Sequence, residues 1–138
     1  MASILFIIGG SLFGILGLIH AAYTFADLSH PRRLVPDNPA VMAAMSASGV
    51  RLARGGTTMW RAWLGFNFSH SLGAVVFGIA CIAVGLTLPS LTLPKAALLL
   101  PVVVGLIYLW LAIRYWFRIP VIGIAVGTLF LAAGWLTY

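Results

Sequence analysis

Four long apolar stretches, residues 3–26, 59–88, 95–117 and 120–137, fill most of this 138-residue chain, and its charges crowd into the breaks between them. Each stretch reaches or approaches the roughly 20 residues that a helix needs to cross a hydrocarbon core about 30 Å thick. Charged side chains are 7% of the chain and hydrophobic ones 62%, and the mean hydropathy is +1.11. A water-soluble domain of this size would have to expose most of that apolar surface, which excludes one. The pattern predicts an all-α integral membrane protein, an antiparallel up-down bundle of four transmembrane helices with a short cytoplasmic-side helix between spans one and two. Residues 1–138 are expected to form a single transmembrane domain, because short breaks make sequential helices antiparallel neighbours.

The net charge of +6 would suit a nucleic-acid partner, but its placement points to topology instead. Arg32, Arg33, Arg51, Arg54 and Arg61 lie in or beside the break after span one, and Arg114 and Arg118 flank the break before span four. Only Lys95 lies on the opposite side. By the positive-inside rule both basic breaks face the cytoplasm and both termini lie outside. The N-terminal Met1-Ala2-Ser3-Ile4 lacks the basic residues of a signal peptide, so span one is expected to be retained. Cys81, the one cysteine, is expected to pack as a small apolar residue.

Residues 27–58 are the one sizeable extramembrane segment. Pro31, Pro36 and Pro39 mark turns. Asp37 or Asn38 is placed to cap a helix over about residues 40–53, with Pro39 in its first turn and Val41, Met42, Met45 and Leu52 on its apolar side. With Arg51 and Arg54 near its end, such a helix suits the membrane surface; an ordered loop packed on the bundle is the alternative. Gly55-Gly56 breaks it, and Thr57 or Thr58 is placed to cap span two. Small residues mark faces for close helix approach: Gly10 with Gly14 on span one, Gly65, Ser69 and Gly73 on span two, Gly123 and Gly127 on span four. They favour a tight bundle, within one subunit or between subunits.

Polar residues inside spans are costly and so become functional candidates. His20, Thr24 and Asp27 share one face of span one, bordered by Tyr23. Trp60, Trp63, Asn67 and His70 share one face of span two, with Ser71 one turn beyond Asn67. At ~1.5 Å per residue, His20 lies about 10 Å in from Asp27 and Asn67 about 13 Å in from Thr58, with His70 deeper. A cytoplasmic-side pocket is therefore expected from His20, Tyr23, Asn67 and His70, walled by Trp63, Phe66 and Tyr108, with Asp27 and Arg114 or Arg61 at its mouth. The same residues also admit purely structural roles. The tryptophans match an interfacial belt, Asn and His often bond across helices, and Asp27 is placed to pair with Arg61 or Arg114. His20 and His70 are the only imidazoles available to ligate a haem, a lesser option because their estimated depths differ. No metal site is expected, since three or four ligands are wanted. The chain has no Glu, which disfavours proton-coupled drug antiport.

The stretch Thr57-Thr-Met-Trp-Arg-Ala-Trp-Leu-Gly-Phe-Asn-Phe-Ser-His-Ser-Leu-Gly73, with His30-Pro31 and the Met45 region, resembles a group of small uncharacterised bacterial four-span membrane proteins. The resemblance implies a bacterial inner-membrane location and carries no activity. The function expected from the residues is binding of a lipidic or apolar small molecule in the polar pocket. The alternative is a structural or accessory subunit that oligomerises, or joins a larger membrane complex, through its glycine faces. A transporter or haem-binding bundle is weaker still. The expected partners are the lipid bilayer, a lipidic small molecule and a second copy or membrane complex, with no nucleic acid.

Overall fold

The structure, a computed structural model, describes residues 1–138 and is all-helical. Four long helices are α1 (Ala2–Ser29), α3 (Met59–Thr87), α4 (Lys95–Tyr115) and α5 (Arg118–Leu136), and the short α2 (Pro39–Ala47) lies between the first two. The long four have the length and apolar composition to cross a membrane, as an integral membrane protein requires. Their large aliphatic side chains point outward, with Ile4, Leu18, Leu72, Ile79, Leu100 and Leu129 all exposed. Lipid tails solvate such faces as well as a protein interior would, so little drives them inward.

The helix ends differ from the apolar runs for local reasons. α1 continues past Asp27 to Ser29, because the Asp27 side chain is satisfied by the loop that follows. α5 begins at Arg118 rather than Pro120; a proline in the first turn removes an N–H that has no partner within the helix. Asn38 caps α2, its side chain accepting from Ala40 N–H at 2.9 Å, with Pro39 at the first helical position. The helix expected over 40–53 stops at Ala47, a correction with a clear cause. Ser48 is extended, its carbonyl accepts from Met59 N–H at 2.9 Å, and Gly49 forms an antiparallel bridge with Thr58. Arg51–Ala53 is instead a 3₁₀ turn, followed by Arg54 (φ 45) and Gly55 (φ 90) in left-handed conformations. Leu52, expected on the apolar side of a helix, is 93% exposed. Thr58 caps α3 by accepting from Arg61 N–H.

Contacts sort into two compact units, Met1–Leu16 with Ala74–Tyr138, and Gly17–Gly73. In the first, Phe6, Phe13, Cys81, Leu98, Val102 and Leu131 are the core. Cys81 is packed there as a small apolar residue, 1% exposed. Glycines set the spacing. A Cβ on Gly10 would lie 2.6 Å from the Gly78 carbonyl oxygen, and one on Gly85 2.7 Å from that of Ser3. Gly127 receives the Phe13 ring, Gly134 that of Phe6, and Gly105 the side chain of Thr128. The small residues of α1 and α5 are thus used inside this unit. On α3 the work falls to Gly78 and Gly85, whereas a Cβ on Gly65 would meet nothing within 4 Å. An apolar groove of about 210 Å³, lined by Cys81, Val84, Leu100 and Pro101 among others, holds none of the candidate polar residues.

The C-terminus is tied to the loop before α4. Tyr138 hydroxyl donates to the Leu93 carbonyl at 3.0 Å and accepts from Leu93 N–H at 2.9 Å, while Trp135 Nε1–H donates to the Lys95 carbonyl at 3.1 Å. Both groups of Leu93 are therefore held by one side chain. Tyr138→Phe is expected to cost about 1 kcal/mol of stability and to speed hydrogen exchange at Leu93 selectively. Unchanged exchange there would show the clasp to be inert.

Candidate functional site

The buried positions of α3 run Asn67, Ser71, Ala74, Gly78, Cys81 and Gly85, alternating four and three residues, the 3.5-residue period of a helix seam. On α1 the seam runs through Phe6, Gly10, Phe13, Gly17, His20, Thr24 and Asp27, all buried except the half-buried His20. Polar side chains in these seams have no water to bond, so they must bond one another or the backbone.

Within residues 17–73 they do. Asn67, 1% exposed, has a side-chain nitrogen 2.8 Å from the Trp63 carbonyl. A carbonyl oxygen only accepts, so that atom must be the amide NH₂, and the Asn67 Oδ1 is left facing His20 Nε2 at 2.9 Å. His20 Nε2 therefore carries the hydrogen and donates, and a second proton on this ring would go to Nδ1. The His70 ring meets that of His20 edge to face, centroids 5.3 Å apart. Thr24 and Ser71 return their hydroxyls to the carbonyls of His20 and Asn67, which removes two donors from the seam without a cross-helix bond.

The outer face of α3 carries a second pattern. Trp63, Phe66 and His70 stack in a row, with centroids 6.4 and 6.3 Å apart and planes inclined by 21° and 11°. Phe66 is 58% exposed, so the row opens outward. Its lower end is fixed, because Trp63 Nε1–H donates to the Leu34 carbonyl at 2.7 Å.

Asp27 is occupied differently from the ion pair expected of it. Its carboxylate accepts from the backbone N–H groups of Arg32 (2.8 Å), Arg33 (3.1 and 3.3 Å) and Leu34 (2.6 Å), and the residue is 1% exposed. A carboxylate near a helix C-terminus faces the negative end of the helix dipole; three converging N–H groups supply the opposing partial charge. The Arg33 guanidinium lies over the Tyr23 ring at 5.0 Å from its centroid. That places Tyr23 against the loop.

Of the nine residues expected at the site, His20 is brought against both Asn67 and His70, and Trp63 and Phe66 extend the group through the ring row. Tyr23 and Asp27 engage the 32–34 loop. Tyr108 and Arg114 belong to the other compact unit, where the Tyr108 ring packs on Phe13 and Phe77 with centroids 5.7 and 6.0 Å apart and Arg114 is exposed in the last turn of α4. The sequence reading missed Leu34, whose N–H and C=O are both taken by side chains. Nothing in a lone leucine signals that role. No group of three or more His, Cys, Asp or Glu residues is placed to hold a metal ion. Comparison of the chain with protein-family models, with curated proteins and with solved structures finds no match.

Proposed function

We propose that this is a small bacterial inner-membrane protein, one transmembrane domain in an up-down four-helix arrangement, that holds the polar head of a lipidic small molecule on its His20–Asn67–His70 cluster. The pairing of Gly10 with Gly78 and of Ser3 with Gly85 supports helices running in opposite directions. The arginine distribution supports termini outside and residues 27–58 in the cytoplasm.

The observation that carries the functional reading is the partly buried His70, its ring against that of the Asn67-bonded His20 and stacked on a ring that faces outward. Structure alone accounts for Asn67, which is buried and bonded at both ends of its amide. It does not account for a parallel row of rings left open beside an imidazole. Helix lengths place this row. α1 has 28 residues and α3 has 29, about 42 Å and 44 Å long, against a core of about 30 Å. With the start of α1 and the end of α3 at the outer boundary, about 20 residues of each fill the core. The inner boundary then falls near Ala21 and Phe68, beside the cluster. A molecule with a polar head and an apolar body meets both of its preferred surroundings there, the imidazole as hydrogen-bond partner and the lipid-facing rings as wall. It would enter sideways from the bilayer.

Native mass spectrometry with lipid extraction tests this on wild type, His70→Ala and Phe66→Ala. The expected result is a small molecule retained by wild type, with occupancy lowered about tenfold by loss of its hydrogen bond in His70→Ala and lowered also in Phe66→Ala, at unchanged oligomeric state. A wild type free of any bound small molecule, or variants that lose their assembly rather than a ligand, would overturn the reading.

A further inference from the structure

Residues 49–58 form a closed loop. The bridge between Gly49 and Thr58, with Val50 N–H donating to the Thr57 carbonyl at 3.3 Å, ties its two ends together. Its tip is the 3₁₀ turn Arg51–Ala53, ended by Arg54 in a left-handed conformation. That arrangement leaves Leu52 93% exposed, with Arg51 and Arg54 exposed on either side of it. A single exposed leucine is ordinary on a protein surface; what sets Leu52 apart is its place between two exposed guanidiniums at the tip of one closed loop.

We propose that Arg51, Leu52 and Arg54 form a membrane-surface anchor, in which Leu52 enters the headgroup layer and the two guanidiniums take the phosphates of anionic lipids. Three features argue for the bilayer as the occupant. The tether is short: Leu52 is three residues from Gly49, which restricts the tip to about 10 Å from the bridge, and Met59, the first residue of α3, follows Thr58 directly. With the inner boundary near Phe68, Thr58 lies about 15 Å outside the hydrocarbon core, and a tip within about 10 Å of the bridge reaches the headgroup layer, about 5–8 Å deep, when the loop lies back toward the bilayer. The charge is complementary. Residues 17–73 hold five arginines and two aspartates, and one of those aspartates, Asp27, is buried and taken up by backbone N–H groups. The guanidinium fork also suits phosphate oxygens, which it can grip with two parallel N–H bonds.

The test uses the whole protein in lipid nanodiscs. With Cys81 only 1% exposed, L52C can be labelled selectively with an environment-sensitive fluorophore. Discs of phosphatidylcholine alone are compared with discs containing phosphatidylglycerol. In anionic discs the label is expected to shift to shorter wavelength and to be quenched by lipids spin-labelled near the headgroup; in neutral discs it is expected to be quenched by aqueous iodide. Adding R51Q/R54Q should lower the ratio of lipid-inserted to aqueous label in anionic discs by about 25-fold, each charge near an anionic surface contributing roughly fivefold. Raised salt should act in the same direction. A label equally aqueous in both discs, self-quenching between labelled copies, or an R51Q/R54Q variant as deeply inserted as its parent would overturn the proposal. Unchanged thermal stability of the variants keeps each outcome separate from misfolding.

Discussion

Gly78→Ala is expected to destabilise the protein by about 2–3 kcal/mol, the upper part of the range for overpacking. Its new methyl group would lie 2.6 Å from both the Gly10 carbonyl oxygen and the Gly14 nitrogen, and 2.9 Å from the Gly14 Cα. All three are backbone atoms. No rotamer change can relieve the clash, so α1 and α3 must part, and every contact along the small-residue seam loosens together. Gly65→Ala is the matched control on the same helix. Its methyl group meets nothing within 4 Å, and the gain in helix propensity of about 0.8–1 kcal/mol makes it neutral to stabilising. Reversible unfolding of both variants in bicelles checks the pair. Equal effects would mean that helix propensity, rather than close approach, governs these positions.

The second large effect is expected at Asp27. Asp27→Ala removes the acceptor for three backbone N–H groups at once and is expected to cost about 3 kcal/mol. Asp27→Asn should cost less, since one oxygen still accepts while the NH₂ opposes the Leu34 N–H. Trp63 holds the other side of the same residue, through the Leu34 carbonyl. Asp27→Asn and Trp63→Phe are therefore expected to couple by more than about 0.5 kcal/mol in a double-mutant cycle. Strict additivity, measured by denaturation of the two single variants and the double variant, would show that the two side chains act on the 32–34 loop independently.

The spans were legible because length and composition alone define them; Lys95 and Met59 start helices where the apolar runs begin. The seam was harder to read. On α3 the lipid-facing residues Leu72, Val76 and Ile79 are as apolar as anything inside, so hydrophobicity does not distinguish the two sides of the helix. What does distinguish them is size, since Ser71, Ala74, Gly78, Cys81 and Gly85 alternate at four and three. Reading Gly65 with Ser69 and Gly73 followed a strict four-residue row, which drifts around the helix, and missed the face that packs. The His20–Asn67–His70 group was legible because polar residues inside spans are few. The role of Asp27 was not, because its partners are backbone groups whose positions depend on how residues 30–34 turn. Leu52 went astray for a related reason: propensity favoured continuing α2, and pairing of Ser48 and Gly49 with Thr58 and Met59 overrode it.

α4 and α5, with 21 and 19 residues, match a bilayer of ordinary thickness, whereas α1 and α3 overrun it by eight residues or more. Hydrophobic mismatch of this kind makes the surrounding lipid a variable in the chemistry of the protein. Each additional ~1.5 Å of hydrocarbon covers one more residue of the long helices, and with the inner boundary where it is proposed, near Ala21 and Phe68, the next groups covered are Tyr23, Asn67 and Phe66. In a thin membrane the two imidazoles stand among headgroups and water. In one thickened by a few ångströms they stand deeper in oil, where a hydrogen bond to the proposed lipid head would be stronger. The composition of the membrane would then tune this site continuously, through its thickness, without any change in the protein.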